Sequence, residues 1–443
     1  MQYFIVSGFN NVEMIKFAHS MKKNVLWGAV ALMMAIVFGA CSSDDQFTPD
    51  EPLSNENNEL KDIELTRTEQ TLVNSNNDFA FNLFRKIARS YDGAQTLKSQ
   101  IVSPISITYA LGMLNNGAAG ETQAEINKVL GFGETGADGI NAFCRKMLTE
   151  APKLDKLTKV MIANTIYMNK GYELKADFVS KAKTFYDATP ETRNFADGKT
   201  RDVINRWGSD HTEGMIPEVL KEDEFKTDAV SYLLNAIYFK GAWAEKFDKS
   251  NTQNETFKGY NGETQVPMMH QEHEFNYTES DDCQTLCLPY GNNAFRMTIL
   301  LPKEGKTISD VLATLNAETW QRFQYMGSAI VDVKMPRFES QTDVNLTEIM
   351  SALGMPTAFT IDAEFPYFCN VSTRIDLMKQ VARIKLNEEG TEAAAVTVIG
   401  MLETVAVQEP PQHINFHATR PFLYIISEQS TGAIFFIGQY MGD

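Results

Sequence analysis

Glu388-Glu389-Gly390-Thr391-Glu392-Ala393-Ala394-Ala395-Val396-Thr397 is the stretch on which the reading of this chain turns. Val398 to Val407 continue it, and Pro410-Pro411 close it. Side chains alternate between the two faces of a strand. On that spacing Thr391, Ala393, Ala395, Thr397 and Ile399 share one face, and Glu392 lies on the other. Glu389 falls on the first face only before Gly390. A face this small and uncharged can enter an existing sheet without burying a charge. Read in isolation, the same residues also fit an Ala-rich loop or helix end, so their surroundings decide.

Those surroundings are globular in composition. The chain has 443 residues, 43% hydrophobic and 22% charged, enough for one large domain or for two or three ordinary ones. Its formal charge of −17 excludes nucleic acid and heparin-like polyanions as natural partners, since these require clustered Lys and Arg. Four cysteines follow residue 41: Cys144, Cys283, Cys287 and Cys369. In an extended segment Cys283 and Cys287 lie ~13 Å apart, too far to bridge, and no structural disulfide is expected.

The first forty residues read as a targeting segment. Met21-Lys22-Lys23 opens a positive region, and Val25 to Phe38 form an apolar run too short for a comfortable membrane span. Phe38-Gly39-Ala40-Cys41 has the form of a lipoprotein-signal cleavage site, with Phe38 where Leu is usual, and makes Cys41 the expected lipidated N-terminus. Residues 1–20 read as an over-long start with Met21 the initiator. Ser42-Ser43-Asp44-Asp45 resembles the acidic surface-export signal of some Gram-negative lipoproteins; an acidic linker is the plain alternative. Residues 41–69 are polar and read as a flexible tether spanning ~25–30 Å as coil. The expected location is the outer membrane, lipid-anchored and exposed at the cell surface, with a secreted or periplasmic protein as the alternative.

From residue 70 to 443 neither a Gly/Ser hinge nor an internal repeat interrupts the chain, which predicts a single domain. Its first half reads as helical. Asn77 is placed to cap a helix carrying Phe79, Phe81, Leu83, Phe84, Ile87 and Ala88, and a second helix follows Ser103-Pro104. Strands crowd the second half: Tyr232 to Phe239, Phe295 to Leu301, Ile330 to Met335, Phe422 to Ser427 and Ala433 to Gly438. The last two read as a hairpin with its turn at Thr431-Gly432. Helices early and antiparallel strands late predict an α+β fold.

From about Asn77 to its end the chain resembles the serpins, serine protease inhibitors that swallow their own reactive loop. Ser103-Pro104-Ile105-Ser106, Ala110-Leu111 and Gly117-Ala118-Ala119-Gly120-Glu121-Thr122 match the first block of that family. Asn205 to Leu220, Leu234 to Trp243, Leu288-Pro289-Tyr290 with Leu300-Leu301-Pro302, Phe416 to Phe422, and Thr431-Gly432 match later blocks in order. The resemblance implies three β-sheets, about eight or nine helices and an exposed reactive-centre loop. By position it implies that Glu388, Glu389, Gly390 and Thr391 form the hinge of that loop, with Ala393, Ala394 and Ala395 in its proximal part. It sets Ser103, Ser106 and Asn235 at the shutter beneath the opening sheet, and Trp243 at the breach above it. Gln380 stands where the family usually has a shutter histidine; its amide both donates and accepts, but it does not titrate.

The implied activity is inhibition rather than catalysis. A protease that cuts the loop is held as an acyl-enzyme while the freed strand, ~20 residues at ~3.3 Å each, enters the central sheet and carries it ~65 Å. The alternative is a non-inhibitory serpin acting as a binding or sacrificial-substrate module. Counting from Glu388 sets the reactive bond at Thr404-Val405, and counting back from Phe416 sets it near Val407. Both suit the shallow pocket of an elastase-like protease. Met401 or Leu402 would suit chymotrypsin-like, subtilisin-like or cathepsin-like enzymes. No Lys or Arg occurs between Gly390 and Thr419, which excludes a trypsin-like target. A monomer is expected, touching membrane through its lipid anchor only.

Other motifs carry less. Gly131-Phe132-Gly133-Glu134-Thr135-Gly136 satisfies G-x-G-x-x-G, but it follows a helical run and no helix clearly opens after it, against a dinucleotide site. Ser209-Asp210-His211 are neighbours in sequence and lack triad geometry. His270 with His273, or His413 with His417, have no supporting ligand pattern, so no metal and no cofactor is expected.

Overall fold

Helix-forming periodicity dominates the first third of the body and alternating or continuous apolar runs the rest, and the computed structural model divides accordingly. It describes residues 58–92, 97–133, 135–391 and 413–443. Among these residues are nine α-helices: α1 (Arg67–Asp92), α2 (Pro104–Asn115), α3 (Gly120–Leu130), α4 (Gly136–Glu150), α5 (Ala176–Tyr186), α6 (Thr200–Asp210), α7 (Ile308–Thr314), α8 (Ala317–Arg322) and α9 (Thr347–Leu353). The strands are β1 (Gln100–Val102), β2 (Thr158–Asn169), β3 (Glu191–Arg193), β4 (Ser231–Ala242), β5 (Gln253–Gly259), β6 (Gly262–Glu279), β7 (Cys283–Tyr290) and β8 (Phe295–Pro302). They continue with β9 (Gly327–Pro336), β10 (Phe338–Asn345), β11 (Leu377–Asn387), β12 (Gly390–Thr391), β13 (His413–His417), β14 (Phe422–Glu428) and β15 (Ile434–Tyr440).

One sheet runs β10-β11-β12-β4-β2-β3. The other strands form a ladder β1-β15-β14-β8-β7-β6-β9-β13, with β5 on β6. This ladder holds two of the three expected sheets, joined where Asn276 to Glu279 of β6 pair with Cys287 to Gln284 of β7. Helix α2 is buried along its whole length, predominantly apolar with Ser106, Thr108 and Asn115 hydrogen-bonded within the interior, and packs against β2, β4 and β15. The β14–β15 hairpin closes through the buried carboxylate of Glu428, which accepts from the backbone N–H of Ser430 (2.7 Å) and Thr431 (2.9 Å).

Three expectations change. Asn77 does not cap a helix. Helix α1 starts ten residues earlier, where Thr66 and Glu69 exchange bonds (Glu69 Oε2 from Thr66 N, 2.7 Å; Thr66 Oγ1 from Glu69 N, 3.2 Å). Asn77 is buried instead, and its amide ties the hairpin by donating to Gly432 O (3.0 Å) and accepting from Ile434 N (3.1 Å). The glycine motif does open a helix, α4 at Gly136, although it follows α3 and not a strand. Finally, residues 58–66 run against the body: Ile63 is buried and its N–H donates to Ser430 Oγ (3.0 Å), while Asn58 donates to Asp155 (2.6 Å). The polar composition of this stretch conceals the two apolar residues that seat it, Ile63 and the partly buried Leu65. The targeting segment, Cys41 and the first part of the tether lie outside the described residues. Among the described residues no helix is long and apolar enough to cross a membrane, and all four cysteines are buried with free thiols.

Candidate functional site

Strands β4 and β11 lie side by side in parallel from Leu377↔Tyr232 to Ala382↔Ile237. Above that point they part. The fork is filled by β12, whose two residues pair antiparallel with both sides: Thr391↔Leu386 and Gly390↔Asn387 towards β11, and Gly390↔Ala242 and Thr391↔Gly241 towards β4. The chain reverses into this position through a two-residue turn at Glu388-Glu389. Gly390 makes the reversal with φ +144°, a conformation that side chains rarely adopt. A Cβ on Gly390 would also stand 2.1 Å from Gly241 O and 2.8 Å from Ala242 Cα.

The head of the fork is held by charge and by aromatic stacking. The side chain of Glu388 is 2% exposed; it pairs with Arg337 and accepts from Thr252 Oγ1 (2.7 Å). Burial opposes its ionisation, but the Arg337 guanidinium and the Thr252 hydroxyl outweigh that and hold the carboxyl below its ordinary range. Glu389 is held low first by Lys249, then against burial by Lys246, each 2.9 Å away. Trp243 reads the turn directly: its N–H donates to Glu389 O (2.9 Å) and its indole Nε1 to Asn387 O (3.0 Å). The indole stacks on Tyr290 at 4.4 Å and 11°, and the Tyr290 hydroxyl lies 2.7 Å from Thr391 Oγ1. Burial pushes the Tyr290 phenol well up, so it stays neutral. Thr391 is fully buried beneath the sheet.

Lower down, where the two strands still touch, a row of amides crosses them. Asn164, Asn235 and Gln380 are register partners on β2, β4 and β11. Asn235 donates to Asn164 Oδ1 (2.6 Å) and to the Ser106 hydroxyl, and accepts from Gln380 Nε2 (2.5 Å). Gln380 also donates to Ser103 O (3.1 Å) and accepts from Ser103 N (2.9 Å). Ser103 and Ser106 belong to the start of α2, so this network fastens the sheet to the buried helix. A Gln thus fills the place with three amide hydrogen bonds and no titratable proton.

The expected hinge and shutter residues therefore fall into two clusters on one seam, and Trp243 lies in the upper. Ala393, Ala394, Ala395, Met401, Leu402, Thr404, Val405 and Val407 lie outside the described residues. Reading the sequence missed Arg337, Thr252, Lys246, Lys249 and Tyr290 at the head of the fork, and Asn164 below it. Asn164 alone left a signal, a lone amide within the apolar run Met161-Ile162-Ala163-Asn164-Thr165-Ile166. Neither histidine pair weighed in the sequence forms; His270 and His417 instead flank Asp332, at 2.5 and 3.2 Å, from the strands on either side of β9. Burial opposes ionisation of Asp332, and its hydrogen bonds to both rings hold it low. No group that could hold a metal ion occurs among the described residues.

Comparison with known proteins converges on one family. The family model described as "Serpin (serine protease inhibitor)" matches residues 74–442. Serpin B6 of Macaca fascicularis is 32% identical over 379 residues, which is 83% of this chain and 98% of that protein. Leukocyte elastase inhibitor of Equus caballus is 30% identical over 385 residues, 84% and 99% of the two chains. The thermophilic serpin Tengpin in its native state superposes with a TM-score of 0.76 at 24% identity, covering 87% of this chain and 96% of that one, a likeness of fold. The chain belongs to the serpin family, whose members include inhibitors of proteases.

Proposed function

We propose that this protein is an irreversible suicide-substrate inhibitor of serine proteases, and of some cysteine proteases, presented on a lipid anchor at the cell surface. The observation that carries the reading is β12. Gly390 and Thr391 already occupy the antiparallel lane between β4 and β11 that the rest of the loop would have to fill. A target protease attacks the carbonyl of the reactive bond, taken as Thr404-Val405, and the amide breaks. Residue 404 stays esterified to the enzyme, and a new amine remains on the side leading to β13. The cut frees the strand to extend β12 downward, pushing apart the six residue pairs that still join β4 to β11. Each new backbone bond contributes ~0.5–1.5 kcal/mol net, so a dozen give on the order of 10 kcal/mol. The small face of Thr391, Ala393 and Ala395 lets that strand slide in before the ester is hydrolysed. Small aliphatic residues around the bond favour an elastase-like target, and the similarity to Leukocyte elastase inhibitor points the same way.

The test is incubation of the purified chain with pancreatic elastase, followed by denaturing electrophoresis and mass spectrometry of the released fragment. A detergent-stable covalent band, with the fragment starting at Val405 or nearby, is expected. Clipping without a covalent band, under elastase and chymotrypsin alike, would overturn the reading in favour of a non-inhibitory substrate module. For the anchor, growth with an alkynyl fatty acid should label the parent chain and not a Cys41→Ser variant; label retained in the variant would reject Cys41 as the site.

A further inference from the structure

We propose that Lys221, Glu224, Asp343 and Lys379 form an electrostatic latch across the β4–β11 seam, and that its release helps set the speed of strand entry. This rests on the insertion reading above and adds residues that it does not use. Lys379 lies on β11, one residue before Gln380, on the outer face of the sheet. Its side chain is 0% exposed, and its ammonium contacts both Glu224 and Asp343 (2.8 Å). Asp343 also takes Lys221 at 2.7 Å, and Glu224 accepts the backbone N–H of Lys221 at 2.9 Å. Two cations and two anions thus alternate in one cluster, and its charges cancel.

The cluster joins two bodies that insertion must separate. Glu224 and Lys221 sit on the segment between α6 and β4, which belongs to the β4 side. Tyr232 of β4 anchors that segment by accepting from Lys226 N (2.7 Å) and donating to Lys226 O (3.1 Å), and Phe225 packs over the Tyr232 ring. Asp343 and Lys379 sit on β10 and β11, which are paired along their length. Arg383 of β11 makes a third crossing contact, donating to Met215 O at 3.2 Å. Beneath the segment a separate apolar cluster spans the seam as well, with Ile216, Val219 and Leu220 over Leu234 of β4 and Val381 of β11.

Adding one strand widens the seam by ~4.8 Å. Lys379–Glu224 and Lys221–Asp343 then pass beyond ion-pair reach, because each has one partner on either side. Lys379 keeps Asp343 throughout, so its buried ammonium is never left without a carboxylate. The latch therefore slows opening without forbidding it. Strand entry competes against hydrolysis of the acyl-enzyme, so a change in opening rate alters how many protease molecules are trapped.

The experiment measures uptake of a synthetic peptide with the sequence of residues 391–404 by the intact, uncleaved chain, followed by native electrophoresis. It requires no protease. Lys379→Met removes one crossing pair together with the buried charge, and Glu224→Gln weakens that pair at a partly exposed residue, covering the case in which the first variant does not fold. Uptake should accelerate about tenfold in Lys379→Met and by a smaller factor in Glu224→Gln. In Glu224→Gln, whose pair is already broken once the seam is open, the melting temperature of the peptide-loaded form should stay at the parent value, which a general loss of packing would lower. Uptake at the parent rate in both variants would overturn the latch while leaving insertion intact. A parent chain that never takes up peptide, and gains no heat resistance when its loop is nicked, would overturn insertion and the latch with it.

Discussion

Thr391→Arg is the sharpest probe of the fork. Thr391 has no exposed surface, its hydroxyl lies 2.7 Å from that of Tyr290, and Tyr290 is pinned 4.4 Å from the indole of Trp243. A guanidinium at this position would face a neutral phenol pushed well up in pKa, with strands paired on both flanks. Burying a charge without a partner costs several kcal/mol, so the arginine would leave the lane in the uncleaved variant and would have to be buried on insertion; at about 4 kcal/mol, that step slows roughly a thousandfold. If entry outruns deacylation about tenfold in the parent, the ratio becomes about one in a hundred. Nearly every encounter would then end in a cut loop and a freed enzyme. The assay is titration against a fixed amount of elastase, reading residual activity and the detergent-stable band together. Thr391→Ser, which keeps the hydroxyl, should trap as the parent does. A Thr391→Arg variant with parental complex yield would refute the idea that this face enters the sheet.

Three further outcomes follow from the same geometry. Gln380→Leu deprives Ser103 N and Asn235 Oδ1 of their partners, each a buried group costing ~1–3 kcal/mol, and should lower the melting temperature of the uncleaved form; an unchanged transition would show that the amide row does not hold the seam. Trp243→Phe retains an aromatic ring against Tyr290 but loses the indole bond to Asn387 O, and urea denaturation should register a loss of ~1 kcal/mol. Glu388 and Glu389 both have carboxyls held below the ordinary value of 4.5, so the stability they contribute is full above that value and is lost as pH falls through the lower folded values. Melting curves of a Glu388→Gln, Glu389→Gln double variant should accordingly fall less steeply than the parent's below about pH 4.5; parallel curves would contradict the assignment.

Much of this arrangement is legible in the sequence. The order helices-then-strands and the terminal hairpin are local patterns, and both survive in the structure, with strands one to four residues longer than read; the small face beyond Thr391 lies outside the described residues. The partners of the hinge were not legible, because they arrive from far away: Thr252 and Arg337 lie 136 and 51 positions from Glu388. Asn77 misled for a related reason. Asn before an apolar run has the chemistry of a cap, but the helix continues upstream through residues whose polar face is solvated, and the amide is spent on a turn 355 residues on. The charge cluster around Lys379 was equally silent, since a lysine within a strand normally signals solvent. Here burial is possible only because two carboxylates from separate elements converge on it.

The tight reversal at Glu388-Glu389 has a consequence for how the loop can vary. For a loop that enters the sheet as proposed, it sets the frame of the inserted strand, since Thr391 is paired opposite Leu386 and Gly241. Parity then dictates which downstream side chains look inward. Adding or deleting one residue just after Thr391 would exchange the two sets, turning Glu392 or its neighbours toward the interior, whereas a change of two would restore them. Length variation between the reversal and the scissile bond should therefore be tolerated in even steps and rejected in odd ones.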